Sequence, residues 1–138
     1  MTLKKKLMFF SGGILLFALA LFLWGYHLYN KPHLGAGREK ASVQITADAL
    51  YHKYAADESA ADSLYLGKVI EVQGTLLEIQ REGAFEVWIL SSGQRGGGIN
   101  CRMFSKTLHL PVQGSSVKIK GRCSGFLADV NLVDCVAE

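Results

Sequence analysis

The spacing of apolar positions changes character three times along the chain, and each change marks an element. Leu7 to Tyr29 is a run of 23 residues without Asp, Glu, Lys or Arg. As a helix rising about 1.5 Å per residue it reaches about 34 Å, enough to cross a hydrocarbon layer of about 30 Å with slight tilt. Asn30 to Ser42 then carries Pro32, Gly35 and Gly37 among scattered charges, with almost no large apolar residue. That composition predicts a tether, and residues 30–45 are assigned to it. From Thr46, a capping residue with Asp48 in the following turn, Leu50, Tyr51 and Tyr54 recur at helical spacing. A second short helix is expected from Asp57 or Glu58 to about Leu64, with Ala60, Ala61 and Leu64 on one face and Gly67 as its stop. These helices, about residues 47–65, are expected to pack on the domain that follows.

From Lys68 the period becomes two, the signature of strands. Val69 to Ile79 reads as a long strand bent or bulged at Gly74, because a glycine inside a strand marks such a break. The chain turns at Arg81-Glu82-Gly83, and a second strand holds Phe85, Val87 and Ile89 in alternation with Glu86, Trp88 and Leu90. The glycine-rich Gly93 to Gly98 segment connects it to a third strand, about Ile99 to Phe104. Ser105 to Leu110 reads as a helical turn closed by Pro111. Val117, Ile119 and Gly121 alternate with Lys118, Lys120 and Arg122 in a fourth strand, and Val130 to Val136 is the fifth. Five strands over residues 68–137 with an insert between the third and fourth predict a mainly β fold, an OB-fold barrel, preceded by one or two short helices and a transmembrane helix.

Charge sharpens the division. The chain has 15 Lys and Arg against 12 Asp and Glu, but Lys4, Lys5 and Lys6 precede the apolar run, so the remainder carries twelve of each sign. A neutral domain lacks the basic surface that nucleic-acid binding asks for. The apolar run exceeds a signal-peptide core of about 7–15 residues and ends in Trp24, Tyr26, His27 and Tyr29, residues suited to a membrane interface. It therefore predicts an uncleaved single-pass anchor through Leu7 to Tyr29 in a bacterial inner membrane. The three lysines keep the amino end in the cytoplasm, so the barrel is expected in the periplasm.

Chemistry is sparse. Three cysteines, Cys101, Cys123 and Cys135, permit a Cys123–Cys135 bridge in an oxidising compartment, or three buried small apolar side chains. His27, His33, His52 and His109 form no ligand spacing with a cysteine or carboxylate, so no metal is expected. The Gly93 to Gly98 loop leads into a strand, whereas a phosphate cradle opens a helix. No acid and base pair or nucleophile with its base emerges, so neither catalysis nor a cofactor is expected. A binding surface remains. OB barrels use the outer face of their second and third strands. With Phe85, Val87 and Ile89 inward, Glu86, Trp88, Leu90, Asn100 and Arg102 would form that face, with Arg81 and Phe126 at its rim; the opposite register would put Trp88 in the core. The row Lys118, Lys120 and Arg122 reads as a solvated face. The expected partner is an envelope protein or glycan, and a membrane-tethered nucleic-acid binder with a cytoplasmic barrel is the alternative.

Several short runs carry a family resemblance: Tyr65-Leu66-Gly67-Lys68, Val72-Gln73-Gly74, Asn100-Cys101, Gly121-Arg122-Cys123-Ser124-Gly125, Asp129-Val130-Asn131-Leu132 and Cys135. With Asn30-Lys31-Pro32-His33 just past the apolar run, the chain resembles the tRNA_anti-like family, OB-fold proteins common in Bacteroidota. The resemblance implies the fold and a membrane or envelope association, and it implies no reaction.

Overall fold

The computed structural model describes residues 3–30 and 35–138. They fall into two units, Met1–His33 and Leu34–Glu138. In the first, α1 (Leu3–Tyr29) is a 27-residue helix apolar enough to span a membrane. It begins four residues before the apolar run because the lysines continue the helix. Its described side chains from Phe9 onward are all exposed, and Phe22 stacks on Tyr26 one turn on. Lys31, Pro32, His33 and Leu34 of the expected tether lie outside the described residues.

The second unit opens with a 3-10 turn, Ala36–Arg38, and a short strand, β1 (Val43–Thr46). Its first three residues fall inside the expected tether, which runs to residue 45. The strand pairs in parallel with β2 (Val69–Glu82), Val43 opposite Ile70 and Thr46 opposite Gln73. Helix α2 (Ala47–Ala56) follows at once, capped by Thr46, whose Oγ1 accepts from Ala49 N at 3.3 Å. Asp57 ends α2 and caps α3 (Glu58–Tyr65), accepting from Ala60 N at 3.0 Å. Both helices stand where the sequence places them.

The remaining strands are β3 (Phe85–Ser91), β4 (Gly98–Met103), β5 (Ser116–Leu127) and β6 (Asp129–Ala137). The sheet runs β1-β2-β3-β4-β6-β5, and β5 pairs back onto β2, so five strands close into a barrel with β1 added outside the ring. The β4–β6 pairing is parallel and the other pairings within the ring are antiparallel. Closure leaves few free edges. Leu50 and Tyr54 of α2 join Ile70, Val72, Leu76, Trp88, Leu90, Ile99, Ile119, Val130 and Leu132 in one core.

Two glycines show how tightly this core closes. A Cβ on Gly74 would stand 2.8 Å from the Ala47 Cβ, so this glycine lets α2 approach β2. The register shift of β2 falls later, between Leu76 and Glu78, which corrects the expectation of a bulge at Gly74. Gly121 lies under the Cys135 sulfur, which occupies the space a Cβ would need.

The helical turn expected over Ser105 to Leu110 is absent. That stretch is an irregular strap, and Thr107 N donates to the Glu86 carboxylate at 3.3 Å instead of to a helical carbonyl. The third barrel strand correspondingly ends at Met103, one residue before the expected Phe104.

The Cys123–Cys135 bridge is not formed; all three thiols are free and buried. Cys123 is paired with Leu132, whereas Cys135 sits opposite Met103 on the other side of β6. The Cys123 sulfur lies 3.2 Å from the Tyr54 hydroxyl, whose titration is displaced far upward by burial and by that contact. A hydrogen bond with Cys101, then burial, holds the Cys135 thiol well above its ordinary value. Thiols so buried react slowly. Alkylation without reductant is therefore expected to leave the folded protein unmodified and to label all three cysteines in denaturant. Intact mass would show it, and two cysteines refusing label until reduced would establish a bridge.

Candidate functional site

The strand β3 is apolar on both faces, so its register decides which side chains meet solvent. Trp88 is 1% exposed and pairs with Ile79 on one side and Cys101 on the other, and Leu90 is buried beside it. The core register holds, and the face that would have displayed Trp88 and Glu86 points inward. A tryptophan fills the barrel interior in a way Val87 could not, and this volume outweighs the cost of bringing Glu86 inside. Glu86 lies at the barrel end, where Thr107 N and Arg81 Nε, the latter at 3.9 Å, compensate its charge. Arg81 thus serves Glu86. Phe126 is half-buried against the rings of Tyr51 and Tyr54, at 5.8 and 5.6 Å, and supports α2 instead of rimming a face.

Of the six candidate residues, Asn100 and Arg102 are on the outer face as expected. Across from them stand Ile89 and Val87, both half-buried, and the exposed Phe85. The Arg102 guanidinium lies 3.8 Å above the centre of the Phe85 ring. Such stacking fixes a long cationic side chain flat on the sheet. Asn100 Nδ2 donates to Asp129 at 3.3 Å and reaches the Asn131 side-chain oxygen at 3.5 Å; Gly98 N donates to the other Asp129 oxygen at 2.7 Å. On the flank, Glu78, Gln80 and Glu82 pair with Ile89, Val87 and Phe85. The result is a patch with an aromatic ring at one end, an amide and carboxylate cluster at the other, and one guanidinium among three carboxylates.

Phe85, Asp129 and Asn131 were missed as site residues. The period-two pattern puts Phe85 with Val87 and Ile89 whichever way the strand faces, so the apolar count alone favours burying it. Asp129 and Asn131 belong to the last strand, and only the parallel β4–β6 pairing brings them beside Asn100.

The basic row is neutralised within the domain. Lys118 pairs with Glu71 at 3.2 Å, Lys120 with Glu138 at 2.9 Å, and Arg122 with Glu39 and the Gly67 carbonyl. The Lys120 ammonium holds the Glu138 carboxyl below its ordinary range. A cleft of about 380 Å³ under the strap is floored by Trp88 and lined by Thr107, His109, Pro111 and Lys118. The buried indole N–H of Trp88 has no hydrogen-bond partner among the described residues. Among the described residues no group of three His, Cys, Asp or Glu is placed to hold a metal.

A closed barrel whose third and fifth strands, β4 and β6, pair in parallel defines an OB fold. The family profile of the tRNA_anti-like proteins matches residues 1–136, and the chain belongs to that family. A solved structure from Klebsiella pneumoniae subsp. pneumoniae, described as a putative nucleic acid-binding lipoprotein, is similar in fold: 17% identity, a TM-score of 0.56, with 70% of this chain and 92% of that chain covered. No curated protein matches significantly.

Proposed function

We propose that the protein is a non-catalytic, single-pass membrane-anchored binding module whose ligand lies across Phe85, Arg102, Asn100 and Asn131. The stacked Arg102–Phe85 pair carries the reading: it sets a cation on an exposed aromatic ring on the face that OB barrels use. The ligand is a protein or glycan of the envelope. A polyanion would meet Glu78, Glu82 and Asp129 beside a single guanidinium, whereas an aromatic ring beside amides and a carboxylate suits a neutral sugar or peptide. Helix α1 is the anchor, and Lys4, Lys5 and Lys6 hold the amino end in the cytoplasm with the barrel in the periplasm. A carboxy-terminal alkaline phosphatase fusion should be active; an inactive one would reverse the topology.

The experiment on the ligand is recovery of bound molecules with the full chain in mild detergent, compared with Phe85→Ala plus Arg102→Ala. The double variant should lose the specific partner while keeping its unfolding midpoint. Identical recoveries would remove the face. A second reading, binding of single-stranded nucleic acid, is favoured by the description of the Klebsiella structure and by the stacking platform Phe85 offers. It predicts affinity for an oligonucleotide falling steeply with salt.

A further inference from the structure

The strap between β4 and β5 presents apolar side chains outward. Leu108 is 96% exposed, Val112 77%, and Phe104 and Leu110 almost half, with exposed Lys106 and His109 between them. This is not a loose loop. Phe104 N donates to Cys135 O at 2.8 Å, Thr107 N to Glu86, and just past Val112 Gly114 N donates to Leu76 O at 2.7 Å. The backbone is pinned at both ends and in the middle, so the display of Leu108 and Val112 is built in. A concentrated apolar display on a soluble domain marks a contact surface, and apolar residues interleaved with basic ones suit the headgroup layer of a bilayer.

Covalent reach says which surface is at hand. Gly35 packs against the Phe104 ring, which a Cβ at that position would meet at 2.9 Å, so the chain enters the folded unit at the base of the strap. Five peptide steps join Asn30, just past the end of α1, to Gly35. Fully extended they span at most about 18 Å, and the headgroup region itself extends several ångströms beyond the hydrocarbon. If α1 crosses the bilayer, the base of the strap is held within reach of its surface.

We propose that the Phe104 to Val112 strap is a lipid-contacting surface that seats Leu108 and Val112 in the interfacial layer of the membrane crossed by α1. The proposal rests on the anchor reading of α1. The test uses the full chain in vesicles of phosphatidylcholine and phosphatidylglycerol, with an environment-sensitive fluorophore on single introduced cysteines: Leu108→Cys for the strap, Phe17→Cys for the anchor, and Leu127→Cys for an equally exposed apolar position at the β5–β6 turn. Lipids spin-labelled near the headgroup should quench the probe at 108 at least about twofold more than at 127, as interfacial burial requires, and lipids labelled deep in the acyl chain should quench it at 17. Quenching at 17 with 108 no different from 127 would overturn the strap and leave the anchor standing. A blue-shifted probe at 108 without lipid quenching would mean that a protein covers the strap, which also overturns the proposal. No quenching at 17 would remove the anchor and the strap contact together.

Discussion

Replacing Trp88 by alanine is expected to cost the barrel about 3–5 kcal/mol, the range for emptying a large buried aromatic site. A domain of this size has a total of about 5–15 kcal/mol, so the variant should be largely unfolded at modest urea concentrations. Trp88 is sealed between Ile79 and Cys101 and also floors the cleft under the strap. Its removal therefore leaves a void bounded by strands from both sides of the ring, which the closed sheet resists collapsing. Trp88→Phe should recover much of the loss. Phe85→Ala, three residues earlier on the opposite face, should stay within about 0.5 kcal/mol of wild type, as exposed positions do. Urea midpoints followed by circular dichroism compare the three; a mild Trp88→Ala with a severe Phe85→Ala would mean that β3 is turned over.

The second large effect is expected at Gly121. The Cys135 sulfur fills the space of a Cβ there, and the Leu132 Cβ would be only 3.2 Å away. Gly121→Ala should therefore cost about 1–3 kcal/mol through overpacking, although alanine has the better intrinsic propensity. Cys135→Ala alone should be mildly destabilising, because it opens a small void. Together the two changes exchange volume across the β5–β6 pair, so the double variant should be more stable than the sum of the single effects by at least about 0.5 kcal/mol. Strict additivity in a double-mutant cycle would show that the sulfur and the added methyl do not compete for one space.

Much of this architecture is readable from the residues. Thr46 and Asp57 announce the helix starts because their side chains accept from the first free amides, and the alternation of Val117 to Arg122 shows its buried side because every second residue is charged. Legibility ends where a strand is apolar on both faces. In Phe85 to Leu90 the pattern cannot tell which set fills the barrel; side-chain volume against the opposite wall decides, and that wall is made by residues distant in sequence. Glu86 misleads for the same reason, since its partners come from Arg81 and from the strap. The four-residue β1 is hidden because it borrows most of its stability from β2, and the Asp129–Asn131–Asn100 cluster because a parallel pairing across the barrel has no local signal.

The strand β1 also bears on how the domain takes load. Tension arriving along the chain from residue 35 meets the packing of Gly35 on Phe104 and the Glu39–Arg122 pair, then the clasp of Ser42, whose N and Oγ both bond the Val69 carbonyl, and then four residues alongside β2. A pull directed along such a strand loads its hydrogen bonds in shear, all at once, instead of unzipping them singly. The short strand outside the ring thus acts as a mechanical stop, and the five strands behind it are spared the strain.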